Sequence, residues 1–198
     1  MLSKSMNSIE SGLSLANSSW TVLPGHAKLY LEQNIDETRD MKKLILMAGV
    51  AGSGKSTRSH RYAKEHPNTY IIDTDDTRKS MTGSYLVFTD PVSLAWDEMI
   101  RQANEILARE QECTVILDST FLTDERRLYF LSRLHGYDYL ELCMVKFHDY
   151  SVVYQNNKAR QKEKWVPEEV IDRMIREYTD PSPEVAKLFD KVTVEYWN

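Results

Sequence analysis

The sequence predicts an α/β fold, an open and mainly parallel sheet with helices on both faces. Two observations predict it. Short apolar runs alternate with amphipathic stretches from residue 43 onward, and a glycine-rich turn joins the first run to the first amphipathic stretch. Strands that alternate with helices indicate β-α-β crossovers, which place the strands parallel in one sheet. Ligands of such sheets bind beyond the carboxyl ends of the strands, so the residues that follow each strand are the first candidates for a site.

Each predicted strand is a short apolar, often β-branched run bounded by polar or turn-forming residues. The first run, "LILM", leads into the glycine-rich turn, and the runs "YII" and "TVIL" are each followed by an aspartate. The longer runs "LELCMVKF" and "VTVEYW" come later in the chain. In order, the predicted strands cover 44–47, 70–72, 114–117, 140–147 and 192–197.

The predicted helices follow from apolar periodicity and from their first and last residues. Apolar side chains recur at helical spacing from Trp96 to Leu107, which is typical of a long amphipathic helix. The stretch "TDERRLYFLSRLHG" begins with Thr-Asp and ends at Gly136, as helices often do. We expect Arg126 and Arg127 in it to be exposed, or one of them to face the substrate. In order, the helices are predicted at 53–64, from "TDDTRKS", at 92–109, 123–136, 150–159 and 167–178.

The composition indicates a globular domain with a proper core. The chain has 198 residues, of which 41% are hydrophobic and 28% charged, and its net charge of −5 argues against a globally basic nucleic-acid binder. Its apolar runs fall short of the roughly 18 residues of a membrane span, so no membrane partner is expected. Cys113 and Cys143 lie beside predicted strands, which favours buried reduced thiols and a cytoplasmic location.

Residues 1–40 differ from the remainder of the chain. They are rich in Ser and Asn and show no sustained hydrophobic period, which predicts an appended, weakly ordered extension with a short helix at 27–34. The alternative is that this extension docks on the core through its few apolar side chains. Residues 41–198 then form the catalytic domain.

The turn after the first strand reads "GVAGSGKS" over 49–56 and fits the pattern G-x-x-x-x-G-K-[ST] between a strand and a helix. Glycines let successive backbone N–H groups point into one concavity, and the start of the helix adds further N–H groups. We predict that Lys55 reaches the β and γ phosphates of ATP, that Ser56 binds Mg²⁺ and that Thr57 lies near the α phosphate. The predicted nucleotide-binding residues are Gly49, Gly52, Ser53, Gly54, Lys55, Ser56 and Thr57.

Acidic residues follow the second predicted strand. Phosphoryl transfer to a hydroxyl needs a carboxylate that positions or deprotonates the acceptor, and cations near the moving group. We assign the first task to Asp75, and Arg78 lies within a helical turn of it. Asp76 is expected to cap the following helix or to support Asp75, and Asp73 is expected to be structural.

The third predicted strand ends at Asp118. An apolar strand ending in Asp is typical of the acidic element that holds Mg²⁺ in such enzymes, directly or through water. A capping or turn role for Asp118 is the alternative. Ring-type ATPases usually have two adjacent acidic residues here, whereas this chain has Asp118-Ser119, which argues against a motor ATPase.

The stretch "NNKARQKEKWVPEE" carries several cations between two predicted helices. It predicts a lid over about 156–166 that supplies a cation to the transferred phosphate, and Arg160 is the best candidate because guanidinium matches phosphate oxygens in two-pronged geometry. A solvated charged turn is the alternative.

Together these motifs resemble a known group of enzymes. "LILMAGVAGSGKST", "YIIDTDDTRKS", "VILDSTFLTDERR" and "KARQKEKWVPEEVIDRM" occur in the order and spacing found in small P-loop kinases typified by the 5′-kinase domain of bacteriophage polynucleotide kinase, over roughly 42–180. The resemblance implies that Asp75 activates the acceptor and that Arg78 contacts the neighbouring phosphate. The lid of that group usually has two arginines around an Asn, and here Gln155 stands at one position and Arg160 at the other.

The sequence therefore predicts an ATP- and Mg²⁺-dependent kinase with Lys55, Asp75, Arg78 and Arg160 as catalytic residues and Ser56 and Asp118 as metal ligands. The resemblance implies a 5′-hydroxyl of DNA or RNA as acceptor and a role in nucleic acid repair. A small hydroxylated acceptor (nucleoside, nucleotide or sugar), a hydroxymethylated DNA base and a toxin-like kinase stay open. An ATP-binding switch without phosphotransfer is the alternative of another class.

Overall fold

The computed structural model describes residues 41–197 and contains one parallel sheet in the order β2-β3-β1-β4-β5. Every neighbouring pair in this sheet runs parallel. The strands are β1 (Lys42–Ala48), β2 (Thr69–Asp73), β3 (Cys113–Asp118), β4 (Tyr139–Phe147) and β5 (Lys191–Trp197). The segment 1–40, with the helix predicted at 27–34, lies outside the described residues.

Helices cover both faces of the sheet, so the predicted fold class is confirmed. They are α1 (Lys55–Glu65), α2 (Thr74–Thr82), α3 (Ser93–Arg109), α4 (Asp124–Leu131), α5 (Ser151–Ala159), α6 (Glu168–Glu177) and α7 (Pro183–Ala186), with a 3-10 turn at Lys162–Lys164. Helix α4 ends five residues before Gly136, because the backbone N–H groups of Arg133 and Leu134 both turn back to the Phe130 carbonyl. The short α7 is not predicted from the sequence, since one turn leaves no periodic pattern.

The core lies along the inner strands. Leu44, Leu46, Val115, Leu117 and Leu142 are fully buried. These side chains belong to β1, β3 and β4, which are covered by helices on both faces and therefore carry nearly continuous apolar runs. The sheet thus forms a rigid base for the loops at its carboxyl edge.

The strand register decides which loops meet at that edge. Asp118 at the end of β3 lies opposite Met47 of β1 on one side and Asp73 of β2 on the other. The glycine-rich turn after β1, the start of α2 after β2 and the Asp118 carboxylate are therefore brought to one place. This edge is the position expected for a ligand site in a parallel sheet.

The cysteines agree with the prediction of buried thiols. Cys113 and Cys143 are both free and buried. Burial raises the pKa of Cys143 to about 11, so its thiol stays protonated at neutral pH. Within residues 41–197, each helix is too short or too polar to cross a lipid bilayer.

Arg127 corrects the expectation of an exposed or substrate-facing arginine. Its side chain is fully buried and bonded to backbone carbonyls: Nε donates to Phe121 at 3.1 Å, and Nη2 donates to Leu122 at 3.2 Å and to Thr179 at 2.6 Å. Its Nη1 pairs with Asp124 at 2.7 Å. Arg127 therefore joins the loop after β3 to the segment after α6. Arg126 is part-exposed and donates to the Thr120 hydroxyl.

We expect Arg127→Met to lower the free energy of unfolding by about 2–5 kcal/mol, because buried carbonyls lose their donors. Arg133→Met is the matched control: Arg133 is exposed, so its replacement should cost less than about 1 kcal/mol. Urea denaturation followed by circular dichroism measures both. Equal losses for the two variants would contradict the structural role of Arg127.

Candidate active site

The glycine-rich turn, here the P-loop (49–56), needs glycine because other backbone lies against it. Gly52 has φ 82°, and a Cβ there would lie 2.5 Å from the Val153 carbonyl oxygen of α5. A Cβ at Gly49 would lie 2.7 Å from the Ser53 hydroxyl. The Asn156 side chain of α5 donates to the Gly52 carbonyl at 3.1 Å. The P-loop is therefore held between the sheet and α5.

Polar groups of the P-loop are buried and incompletely paired. Lys55 is 9% exposed, and its ammonium donates to the Val50 carbonyl at 2.9 Å. Burial lowers the pKa of Lys55, and the Asp118 carboxylate opposes this effect. The Ser53 hydroxyl is buried and has no hydrogen-bond partner in the described part of the chain. An ammonium and a hydroxyl in this state suit the oxygens of an incoming phosphate.

Asp118 is the most deeply buried carboxylate of the site, at 3% exposure. Burial raises its pKa, while Lys55 and the hydroxyls of Ser56 and Ser59 favour its charged form. The Ser59 hydroxyl lies 3.4 Å from Asp118 Oδ2. A carboxylate beside serine hydroxyls is a donor set that fits a hard cation such as Mg²⁺.

Asp73, and not Asp76, caps helix α2. Its Oδ1 accepts the backbone N–H of Asp76 at 3.0 Å, so the predicted capping role of Asp76 is wrong by one helical turn. Burial raises the pKa of Asp73 to about 6, and the negative charge of Asp118 adds to this shift. Asp73 is thus both a cap and a second carboxylate near the candidate metal ligand.

Asp75 lies between two guanidinium groups. Its Oδ1 accepts from Arg78 Nη2 at 3.0 Å, and its Oδ2 accepts from Arg160 Nη2 at 2.9 Å. Arg78 is one turn along α2, whereas Arg160 comes from the lid segment. Lys55 interacts electrostatically with both Asp75 and Arg160. The structure therefore brings together the residues that the sequence predicts as catalytic.

The lid segment (156–166) is closed at its base. The Asn157 side chain donates to the Val166 carbonyl at 2.8 Å and accepts the Val166 N–H at 3.1 Å. The Trp165 indole donates to the Arg160 carbonyl at 2.8 Å. These bonds make the lid a compact loop that presents Arg160. The Gln155 side chain, at the second lid position, is exposed.

A second ion pair joins the lid to α2. Lys164 Nζ lies 2.8 Å from Asp76 Oδ1, and the Tyr85 hydroxyl donates to the same oxygen at 2.7 Å. Although burial acts in the opposite direction, these partners lower the pKa of Asp76. The lid thus rests on α2 through two carboxylates, Asp75 and Asp76.

A cavity of about 330 Å³ lies beneath this contact, between α1, α2 and the lid. This volume is at the lower end of the range for small-ligand pockets, roughly 300–1,000 Å³. The polar side chains that line it are Ser56, His60, Asp73, Asp76, Thr77, Ser80, Gln102, Arg160 and Lys164.

Sequence reasoning missed several of these residues. His60 and Gln102 lie mid-helix and carry no motif. Asn157 stands next to another Asn in a polar stretch, and only its burial, at 3% exposure, marks it as the base of the lid. Lys164 belongs to the basic stretch that predicts the lid, so a signal for it existed, but its partner Asp76 could not be identified from spacing.

Comparisons with known proteins agree with this architecture. A family model described as AAA domain matches residues 44–181. No curated protein matches the sequence. A sugar kinase from Janibacter sp. HTCC2649 is similar in structure, with a TM-score of 0.56 and 17% identity over 78% of this chain and 85% of that chain. A gluconokinase from Sinorhizobium meliloti 1021 has a TM-score of 0.52 and 19% identity over 80% of this chain and 83% of that chain.

A fungal RNA kinase is also similar, with a TM-score of 0.54 and 17% identity over 77% of this chain and 38% of that chain. At such identities these likenesses establish the fold alone, and that fold is the one shared by P-loop kinases. The matched region 44–181 is more than half of the sequence and includes the P-loop, the carboxylates at the strand ends and the lid. The chain therefore belongs to this AAA domain family and has a P-loop kinase fold.

Proposed function

We propose that this protein is an ATP- and Mg²⁺-dependent kinase that transfers the γ-phosphoryl group to a hydroxyl, with the 5′-hydroxyl of a polynucleotide end as the favoured acceptor. The observation that carries the proposal is the position of Asp75. Its carboxylate contacts the lid cation Arg160 and interacts with the P-loop cation Lys55, as a group between acceptor and phosphate should.

The donor side of the reaction is assigned to the P-loop. Its backbone N–H groups, with Ser53 and Thr57, bind the phosphates, and the buried Lys55 ammonium neutralises charge that develops on the oxygens of the moving group. In a desolvated position such as that of Lys55, a fixed charge acts more strongly than it does in water.

Ser56 and Asp118 are the residues that would hold Mg²⁺, which when bound supplies charge neutralisation to the phosphates. The fit rests on the buried Asp118 carboxylate, whose charged form is favoured by the hydroxyl of Ser56. Burial raises the pKa values of both Asp118 and Asp73. The charge of Asp75 adds to the shift of Asp118 and the charge of Asp118 to that of Asp73, and a divalent cation would relieve this repulsion.

The acceptor side is assigned to Asp75 and Arg78. Asp75 takes the proton of the acceptor hydroxyl as its oxygen bonds to the γ-phosphorus, and the bond from that phosphorus to the β–γ bridging oxygen breaks, so that ADP leaves. Arg160 now pairs with Asp75. Contact of Arg160 with a phosphate would free one carboxylate oxygen for the acceptor.

Two sets of observations bear on the acceptor, and they favour different candidates. The motifs that resemble polynucleotide 5′-kinases and the likeness to a fungal RNA kinase favour a polynucleotide end. The cavity of about 330 Å³ and the likeness to a sugar kinase and a gluconokinase favour a small polyhydroxylated acceptor as the second candidate.

Labelled ATP tests the proposal directly. We expect label to appear on 5′-hydroxyl oligonucleotides in preference to nucleosides, gluconate or other free sugars. The rate should fall as salt is raised, because contacts with acceptor phosphates are screened. Absence of transfer to every hydroxyl compound offered, with intact ATP binding, would favour the nucleotide switch instead.

Asp75→Asn is expected to lower kcat by about 10²- to 10⁴-fold, the range for loss of a general base. Its ATP affinity by calorimetry should stay within about threefold of the original, since the acceptor carboxylate does not bind the donor. Asp76→Asn is the matched control and should keep most of the activity, because its side chain is 60% exposed and faces Lys164. Near-normal turnover by Asp75→Asn would contradict the assignment of the base.

Asp73→Asn is expected to stabilise the nucleotide-free protein at pH 8 by about 1–2 kcal/mol, a value discounted for the partial exposure of the side chain. The sign follows from the raised pKa. The native state holds the Asp73 proton up to about pH 6, whereas the unfolded chain loses it near the ordinary aspartate pKa of 3.8. The ionised carboxylate therefore costs native stability above about pH 6, and this cost fades as the pH falls toward 4.

Urea unfolding at pH 8 and pH 4.5, with EDTA present, measures the difference between Asp73→Asn and the original protein. Asn keeps the capping interaction, so the difference should shrink to about a third of its pH 8 value at pH 4.5, where the native carboxyl is protonated and the unfolded one still mostly ionised. If Asp73→Asn raised the free energy of unfolding equally at both pH values, the charge of Asp73 would not be the source of the gain.

A further inference from the structure

The segment between α2 and α3 exposes large apolar side chains next to the polar site. Leu86 is 67% exposed and Phe88 64% exposed. Arg78, which contacts Phe88, and Asp75, which pairs with Arg78, belong to the acceptor side of the proposed reaction. The exposed Phe88 ring has no role in binding ATP, because ATP is assigned to the P-loop.

Phe88 is joined to the proposed base through one guanidinium group. The Arg78 guanidinium lies 4.4 Å from the centroid of the Phe88 ring, a cation–π distance. The same group donates to Asp75 Oδ1 at 3.0 Å and to the Tyr85 carbonyl at 3.1 Å. Arg78 thus contacts both the ring and the carboxylate that would meet the acceptor hydroxyl.

Tyr85 extends this arrangement toward the lid. Its ring centroid lies 4.3 Å from Lys79 Nζ and 4.4 Å from Lys164 Nζ. Its hydroxyl donates to Asp76 at 2.7 Å. Two aromatic rings, Tyr85 and Phe88, are therefore set among cations; we call this pair the aromatic platform.

The charge around the platform is opposite in sign to that of the whole chain. Four cations, Arg78, Lys79, Arg160 and Lys164, act here on three carboxylates, Asp73, Asp75 and Asp76, which leaves a local charge of +1. The net charge of the chain is −5. A local positive surface attracts phosphodiesters, and an exposed aromatic ring beside it offers a stacking face for a base.

We infer that the aromatic platform binds the acceptor strand, with Phe88 stacking on a base at or next to the 5′ end and Arg78 and Lys79 facing the adjoining phosphates. This inference rests on the proposed kinase function and specifies its acceptor as a single-stranded polynucleotide end. A free sugar has neither a π-face nor a phosphodiester with which to use these residues.

The test compares the full chain with Phe88→Ala and Phe88→Trp, and uses Leu86→Ala as the matched control from the same exposed segment. Acceptors are a 5′-hydroxyl oligonucleotide and the same strand with its first two nucleotides abasic. We expect Phe88→Ala to raise the KM for the intact strand by about 5- to 150-fold, the equivalent of one lost base stack, with little change in kcat. Phe88→Trp should restore a low KM, and Leu86→Ala should match the original protein.

The abasic strand distinguishes two roles of Phe88, namely stacking on a base of the acceptor and holding Arg78 in position. It should bind the original protein more weakly and show no further loss with Phe88→Ala. An equal rise in KM for both strands would show that Phe88 only holds Arg78, and would overturn the stacking role. A similar loss with Leu86→Ala would point to a general apolar surface, such as a protein-docking face, and would also overturn it.

Failure of the inference is distinguishable from failure of the proposed function. Transfer of phosphate to free sugars but not to oligonucleotides would overturn the acceptor-strand role of the platform and leave the kinase reaction in place. Absence of transfer to any hydroxyl in the original protein would overturn both.

Discussion

The site depends on a buried ammonium that is held among carboxylates. Lys55 lies in the first turn of α1 and is almost fully buried, and its charge is balanced mainly by Asp118 and to a lesser extent by Asp73 and Asp75. A buried charge that loses its partner is strongly destabilising, so the ends of β2 and β3 must stay where they are relative to the P-loop. The parallel register that sets Asp73 opposite Asp118 is therefore a requirement of the site as well as a property of the sheet.

The same balance of charge governs the lid. Arg160 and Lys164 reach α2 through Asp75 and Asp76, while the paired bonds between Asn157 and Val166 keep the lid a closed loop. The α5 helix that carries the lid also touches the P-loop, where only glycine at position 52 leaves room for the Val153 carbonyl. Helix α5 thus contacts the P-loop through Val153 and Asn156, and it is followed directly by the lid cation Arg160.

Local patterns in the sequence predicted most of the fold and the central features of the site, because glycine spacing and acids after strands act over a few residues. The parallel sheet, the P-loop and the meeting of Asp75 with Arg78 follow from such patterns, whereas the strand order and register depend on contacts between distant segments. The burial of Arg127 could not be predicted, because its partners are carbonyls of a loop that contains Phe121 with a left-handed φ of 41°. The capping of α2 by Asp73 instead of Asp76 depended on where α2 begins, and helix ends are the least certain part of any sequence pattern.

The two faces of α2 bear on the nature of the acceptor. The cavity is lined by Asp73, Asp76, Thr77 and Ser80. Asp75 is not one of the described residues that line it. Asp75 instead pairs with Arg78, whose guanidinium lies against the exposed Phe88 ring. A molecule confined to the cavity would meet Asp76, which the lid already neutralises through Lys164, whereas a strand lying across the aromatic platform would bring its terminal hydroxyl to Asp75. The carboxylate assigned as base thus lies on the side of the helix whose Arg78 contacts Phe88, and in the proposed reaction this position favours a polynucleotide end over a sugar.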